Sequence, residues 1–169
     1  MGAGKTTVGK LLAEKLSLRF IDTDELIEKK AGMPVSEIFK TYGEDRFRDM
    51  ETEVLKDVVS EGNVVVSSGG GIVVREDNRE VLKNGAFVVY LKADATEILS
   101  RVSSERGKRP LLNVDDPQAE IERLLKIRQP LYENVSDIIV DTTNMDIIKI
   151  TELIIYEATN HGFTGNRSR

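Results

Sequence analysis

The chain opens Met1-Gly2-Ala3-Gly4-Lys5-Thr6-Thr7-Val8-Gly9, and the reading of this stretch decides the fold class. Gly4-Lys5-Thr6 is the closing half of a phosphate loop, G-x-x-x-x-G-K-[ST], in which backbone N–H groups and a helix N-terminus wrap a polyphosphate. The helix follows directly: Val8, Leu11, Leu12 and Leu16 share one face from Thr6 to Leu16, with Lys10, Glu14 and Lys15 outside it. In such a loop the amides of Gly2, Ala3, Gly4 and Lys5, with Thr7 in the first helical turn, form the nucleotide cradle. Lys5 would bridge the β- and γ-phosphates and the Thr6 hydroxyl would ligate Mg²⁺. The plain alternative is a glycine-rich helix start with a chance lysine. The motif's opening glycine would stand two positions before Met1, and the hydrophobic strand leading into it earlier still. The expectation is therefore that Met1 is an internal methionine preceded in nature by about ten residues, the length of a strand plus a turn.

Composition narrows the function classes. A chain of 169 residues, 40% hydrophobic, makes one domain with a sizeable core, here residues 1–160 with a polar tail over 161–169. A net charge of −5 argues against a nucleic-acid partner, since such binding needs a basic surface. The absence of cysteine removes disulfides and thiolate metal sites and is compatible with a reducing cytoplasm. No run reaches the roughly 18 apolar residues that cross a membrane, and the opening residues form neither a signal nor a transit peptide. A monomer is the default expectation.

Outward from the loop, Leu18 to Ile21 reads as a short strand ending in Asp22-Thr23-Asp24. Two carboxylates at period two on an extended segment project to one side, and the carboxyl ends of strands are where open α/β sheets bind ligands. The competing role is capping of a helix over 25–30 by Asp22 or Thr23. Helices are expected over 35–42 and 44–60, punctuated by Gly43, with Arg48 and Glu51 at i, i+3. That pair is either an ordinary solvated ion pair or an arginine held for bidentate recognition of a carboxylate. Val64-Val65-Val66 makes a buried strand that runs into Ser67-Ser68-Gly69-Gly70-Gly71, glycines that open the backbone for close ligand approach or simply turn it. No Walker B aspartate ends this strand, which moves the metal's carboxylate to Asp22.

The second half continues with a helix over 76–84, a strand over 87–92 and a helix over 95–103. A basic, poorly periodic stretch follows, a lid at about 104–117 in which Arg106 and Arg109 would close over the transferring phosphoryl. The helix over 118–134 carries Arg128 and Tyr132 at i, i+4, with Pro130 expected to kink or end it. A last strand over 138–140 reaches Asp141, and the closing helix over 147–158 offers Ile148, Leu153 and Ile154 as core candidates. The lone His161 reads as part of a frayed terminus.

Gly4-Lys5-Thr6, Asp22-x-Asp24, Phe47-Arg48-x-x-Glu51, Gly69-Gly70-Gly71, Arg109-Pro110-Leu111-Leu112 and Arg128-x-x-x-Tyr132, in this order, resemble the shikimate kinase family of P-loop proteins. The resemblance implies a three-layer α/β/α P-loop kinase fold, with a parallel sheet of order 2-3-1-4-5 whose first strand is missing here. It implies ATP- and Mg²⁺-dependent phosphorylation of the 3-hydroxyl of shikimate, toward chorismate and the aromatic amino acids, in the cytoplasm. By the same resemblance Arg48, Arg128 and Gly69 to Gly71 bind shikimate, and Asp24 orients the attacking hydroxyl and accepts its proton. Lys5 and Arg109 stabilise the phosphoryl in transit, Thr6 and Asp22 serve the metal, and Arg106 stacks on adenine. A gluconate-type kinase and an inactive binding homologue are the alternatives. If the first strand is truly absent, the gap in the sheet implies reduced stability and weakened phosphate binding.

Overall fold

The computed structural model describes residues 2–102 and 114–162, without the side chain of Val102. Among the described residues eleven elements follow one another: α1 (Lys5–Leu16), β1 (Arg19–Asp22), α2 (Thr23–Ala31), α3 (Val35–Glu61), β2 (Val64–Ser67), α4 (Glu76–Gly85), β3 (Val89–Lys92), α5 (Ala95–Val102), α6 (Pro117–Val135), β4 (Ile138–Asp141) and α7 (Ile147–Asn160). Strands separated by helices require crossover connections, and both strand pairs are parallel. β1 pairs with β2 from Arg19 opposite Val64 to Asp22 opposite Ser67. β3 pairs with β4 from Val89 opposite Ile138 to Lys92 opposite Asp141. Among the described residues β2 and β3 share no ladder, so the chain carries two two-stranded sheets.

That arrangement changes the burial expected of Val64, Val65 and Val66. They are half-buried rather than fully buried, because β2 has a strand on one side only. A cavity of about 110 Å³ lies along β3, its lining drawn from Ala3, Val89, Leu91, Ile98 and Leu124 together with Lys5, Gly69, Gly70 and Arg128.

Three apolar clusters hold the elements. One joins Ala3 and Val8 to Leu91, Ile98, Ile121, Val140, Ile150 and Ile154, and so packs α1 with β3, β4, α5, α6 and α7. A second gathers Ile27, Ile38, Phe47, Val54 and Val58 beneath β1 and β2. A third joins Leu55, Ile72, Val73 and Val135. α1 also lies against β1, where a Cβ on Gly9 would stand 2.7 Å from the Phe20 ring. The glycine therefore sets how closely that helix approaches its strand.

Several boundaries have local causes. Asp22 accepts the Asp24 N–H at 3.0 Å as N-cap of α2, so the helix begins at Thr23. Asp22 and Asp24 consequently do not share an extended segment: one ends the strand, and the other sits in the first helical turn. Gly43, at φ 81° and ψ 172°, breaks α3 where the sequence placed a boundary between two helices. Pro130 does not end α6, which runs on to Val135. α6 starts at Pro117, with Asp116 capping the Ala119 N–H at 3.0 Å. His161 is ordered, closing α7 with its N–H on the Glu157 carbonyl at 3.0 Å.

The face of α7 also differs from expectation. Ile154 is buried as expected, but Ile148 is 53% exposed and Leu153 37%, and the inward residues are Ile150, Thr151, Ile154 and Ala158. In a helix this rich in isoleucine, apolar spacing leaves more than one face eligible, and contact with α1 selects between them. Ile154→Ala is expected to cost about 2–5 kcal/mol, as for a buried large-to-small change, whereas Ile148→Ala stays within about 0.5 kcal/mol. Urea unfolding midpoints compare the two, and equal losses would mean the wrong face has been assigned.

Candidate active site

The glycine loop turns into α1 through two left-handed residues, Gly2 at φ 61° and Gly4 at φ 80°, with Gly4 as the N-cap. No acidic side chain occupies the first turn, so the positive end of the helix is left for an external anion. Lys5, Thr6 and Thr7 stand in that turn. Thr6 Oγ1 donates to Asp22 Oδ2 at 3.1 Å and lies 3.4 Å from Ser67 Oγ. Thr6, Asp22 and Ser67 thus knit the start of α1 to the carboxyl ends of β1 and β2. Ser67 was not among the sequence candidates; its signal is its place at the end of β2, where a metal-serving carboxylate was sought and not found. Arg101, also missed, reaches the loop from α5: its Nη1 donates to the Gly2 carbonyl at 3.2 Å and its Nη2 pairs with Glu97 at 2.6 Å.

The triple glycine has a steric cause. A Cβ on Gly69 would stand 2.8 Å from both Asp24 Oδ1 and Glu51 Oε1, and a Cβ on Gly71 would overlap the Arg48 guanidinium. The segment forms tight turns, with Ile72 N–H on the Gly69 carbonyl at 3.2 Å and Val74 N–H on the Gly71 carbonyl at 3.0 Å. Its polar groups are partly engaged by protein. Gly69 donates its N–H to the fully buried Thr23 Oγ1 at 3.2 Å. The Gly70 carbonyl accepts from Arg128 Nη1 at 3.3 Å and from the Tyr132 hydroxyl. The Gly69 amide is therefore not open to a ligand in this arrangement, and Gly70 works first as an acceptor that aims Arg128.

Arg48 is 5% exposed, and its partners are acids. Nη1 donates to Glu51 Oε2 at 2.7 Å, while Nε and Nη2 reach Glu44 Oε1 at 3.2 and 2.7 Å. Burial alone would lower the Arg48 pKa, but Glu51 and Glu44 outweigh it and hold the pKa above its ordinary value. Glu51, fully buried, is pushed up to about 7 by that burial, against the pull of Arg48, with Asp24 adding to the rise. The pair is thus a buried one and not a solvated surface contact. Arg128, 9% exposed, approaches from α6 beside Tyr132, whose hydroxyl pKa is raised by burial.

Asp24, Arg48, Gly69, Gly70, Gly71 and Arg128 therefore come together around one turn. Lys5 lines the same cavity as Gly69, Gly70 and Arg128, while Thr6 and Asp22 lie at the strand ends next to it. Arg106 and Arg109 lie outside the described residues, as does all but the end of the expected lid. The arrangement sets a glycine loop with a lysine beside a turn flanked by two buried arginines and an acid, groups whose chemistry suits an anionic phosphate and a polar molecule carrying a carboxylate.

The comparisons with known proteins agree with this geometry. The shikimate kinase family model matches residues 1–159. A shikimate kinase of Thermodesulfovibrio yellowstonii is 43% identical over 97% of this chain and 95% of its own length. One from Chromobacterium violaceum is 43% identical over 87% and 79%. Among solved structures, shikimate kinase from Acinetobacter baumannii in complex with shikimate superposes with a TM-score of 0.92 at 39% identity, covering 95% of this chain and 89% of that one. Shikimate kinase from Bacteroides thetaiotaomicron gives a TM-score of 0.82 at 31% identity, covering 92% and 94%. With the family model matched over residues 1–159 and relatives about 40% identical across most of the chain, the chain belongs to the shikimate kinase family.

Proposed function

We propose that this chain transfers the terminal phosphoryl group of ATP to the 3-hydroxyl of shikimate, giving shikimate 3-phosphate on the route to chorismate. Family membership carries the reaction class, a phosphotransferase acting on an alcohol. The observation that carries the acceptor is the convergence of buried Arg48 and Arg128 on the triple-glycine turn beside Asp24. Two desolvated guanidinium groups offer directed donors to a carboxylate, and an adjacent acid accepts from ring hydroxyls. Asp24 orients the attacking hydroxyl and receives its proton as the bond to phosphorus forms. Lys5 neutralises charge on the transferring group, joined by Arg109 from the lid, and Arg106 stacks on the adenine. Gly2, Ala3, Gly4, Thr6 and Thr7 complete the nucleotide cradle.

Mg²⁺ fits the donor set. Thr6 Oγ1 and Asp22 Oδ2, 3.1 Å apart beside the phosphate loop, are hard oxygen ligands of the kind that bind Mg²⁺ with water and phosphate oxygens. Bound there, the ion would neutralise phosphate charge during transfer. The chain is read as a monomer working in the cytoplasm on small molecules; among the described residues no helix is long and apolar enough to cross a membrane.

Shikimate-dependent ADP release, with gluconate as control acceptor, tests the assignment. Turnover with gluconate, or without any acceptor, would overturn the substrate, and binding of shikimate without turnover would point to an inactive homologue. Gly71→Ala should displace Arg48 and raise the shikimate KM roughly 10–100-fold, the cost of a charged hydrogen bond, while leaving the KM for ATP nearly unchanged. Lys5→Met should act on kcat, lowering it about 10²–10³-fold. Asp22→Asn should raise the Mg²⁺ concentration needed for half-maximal rate, and an unchanged requirement would remove Asp22 from the metal site.

A further inference from the structure

Glu51 is only half used by the site as described. Oε2 accepts from Arg48 at 2.7 Å, whereas Oε1 is buried with no hydrogen-bond partner among the described residues. Oε1 faces the Gly69 side of the pocket, and Asp24 Oδ1 flanks the same point from α2. The charged groups around Glu51 come from three elements: Arg48 and Glu44 on α3, Asp24 on α2 and Arg128 on α6, with the Tyr132 hydroxyl nearby and neutral. Three acids therefore already face two arginines before any ligand arrives. A carboxylate docking on those arginines adds negative charge where the inner groups, Glu51 and Asp24 against Arg48 and Arg128, only balance, and an uncompensated buried charge is costly. Glu44 is half-exposed and can turn to water, but Glu51, with no exposure, cannot.

We propose that Glu51 is a positioning residue that takes up a proton as a carboxylate substrate docks on Arg48 and Arg128, so that anion and proton enter the site together. The inference rests on the reading of those two arginines as the carboxylate-binding pair. The proton comes from solvent and forms an O–H bond at Oε1, while Oε2 goes on accepting from Arg48 and keeps the guanidinium aimed. The neutral acid then presents a donor on the Gly69 side, where the ionised form presents a second acceptor beside Asp24. Burial holds Glu51 near neutrality in the free protein, at about 7, against the pull of Arg48. A bound anion weakens that pull and raises the value further, so uptake is expected on the alkaline side of neutrality.

Calorimetric titration of shikimate into the full chain near pH 7.5, in phosphate and in Tris, reads the protons taken up from the buffer. A substantial fraction of one proton per shikimate is expected, with Kd weakening between about pH 7 and 8.5 by up to tenfold per unit, a range in which a substrate carboxylate does not titrate. Glu51→Gln, an isostere of the neutral acid, should still bind shikimate but lose both the uptake and the pH slope. A merely structural role would change affinity without removing the proton. Shikimate binding without uptake in the unmodified protein, or uptake undiminished in Glu51→Gln, would overturn the proposal while leaving the arginine pair standing. No binding of shikimate at any pH would remove the arginine reading and the proposal with it. Should Glu51→Gln fail to fold, ¹³C carboxyl titration of the unmodified protein decides. A glutamate titrating near neutrality and moving upward with shikimate supports the proposal, and no such glutamate defeats it.

Discussion

The packing of α1 against both strand pairs is the constraint on which the rest of the structure depends. Val8 enters the cluster formed by Leu91, Val140 and Ile154, while Gly9, the next residue along the helix, admits the Phe20 ring of β1. β2 and β3 share no ladder, so a helix that touches both sides fixes how one pair stands relative to the other. The same helix begins at the glycine loop, with Gly4 as its N-cap. Its position therefore decides whether Thr6 meets Asp22 and Ser67, residues opposite one another in the β1–β2 ladder.

A second constraint is electrostatic. Arg48, Glu51 and Arg128 are all buried, and burying charge is tolerated only where partners are close and well oriented. Glycine makes that proximity possible: at 69 and 71 any side chain would occupy the space of the Asp24, Glu51 and Arg48 head groups. The turn is consequently narrow because the charges are there, and the charges are held because the turn is narrow. Removing one partner of such a set leaves the other buried and unpaired, so these residues respond to substitution as a group and not singly.

Much of this was legible in the sequence, and the parts that were not have identifiable causes. Gly4-Lys5-Thr6 marked the start of α1 because a left-handed glycine before a helix is a local requirement. Gly43 marked the break in α3 for the same reason. Residues 22 to 24 left two readings open because capping and strand extension compete for one aspartate, and the Asp24 N–H on Asp22 decides for the cap. The triple glycine suggested amides open to a ligand, whereas its lack of Cβ atoms makes room for protein side chains from α2 and α3, and the Gly69 N–H is taken by Thr23. Pro130 suggested a kink or an end to α6, and the structure shows no end there, since packing of Leu131, Tyr132 and Val135 on the third cluster carries the helix past one lost hydrogen bond. Glu51 was visible as the partner of Arg48, but its burial is a tertiary fact. Spacing at i, i+3 is the same for a solvated pair and a desolvated one.

Arg101 shows how the two halves of the chemistry are connected. A phosphate cradle works by presenting N–H groups, and every carbonyl in the loop opposes it, because a carbonyl oxygen near a polyphosphate is repulsive. The Arg101 guanidinium takes the Gly2 carbonyl and so offsets one of those oxygens, while Glu97 holds the guanidinium from the preceding turn of α5. That helix is also the element from which the chain proceeds to Arg106 and Arg109. A displacement of α5 would thus be felt at Gly2 through one hydrogen bond, and the glycine loop is tied to the helix that precedes Arg106 and Arg109 in the chain. The coupling needs no long pathway, since Arg101 touches the loop directly.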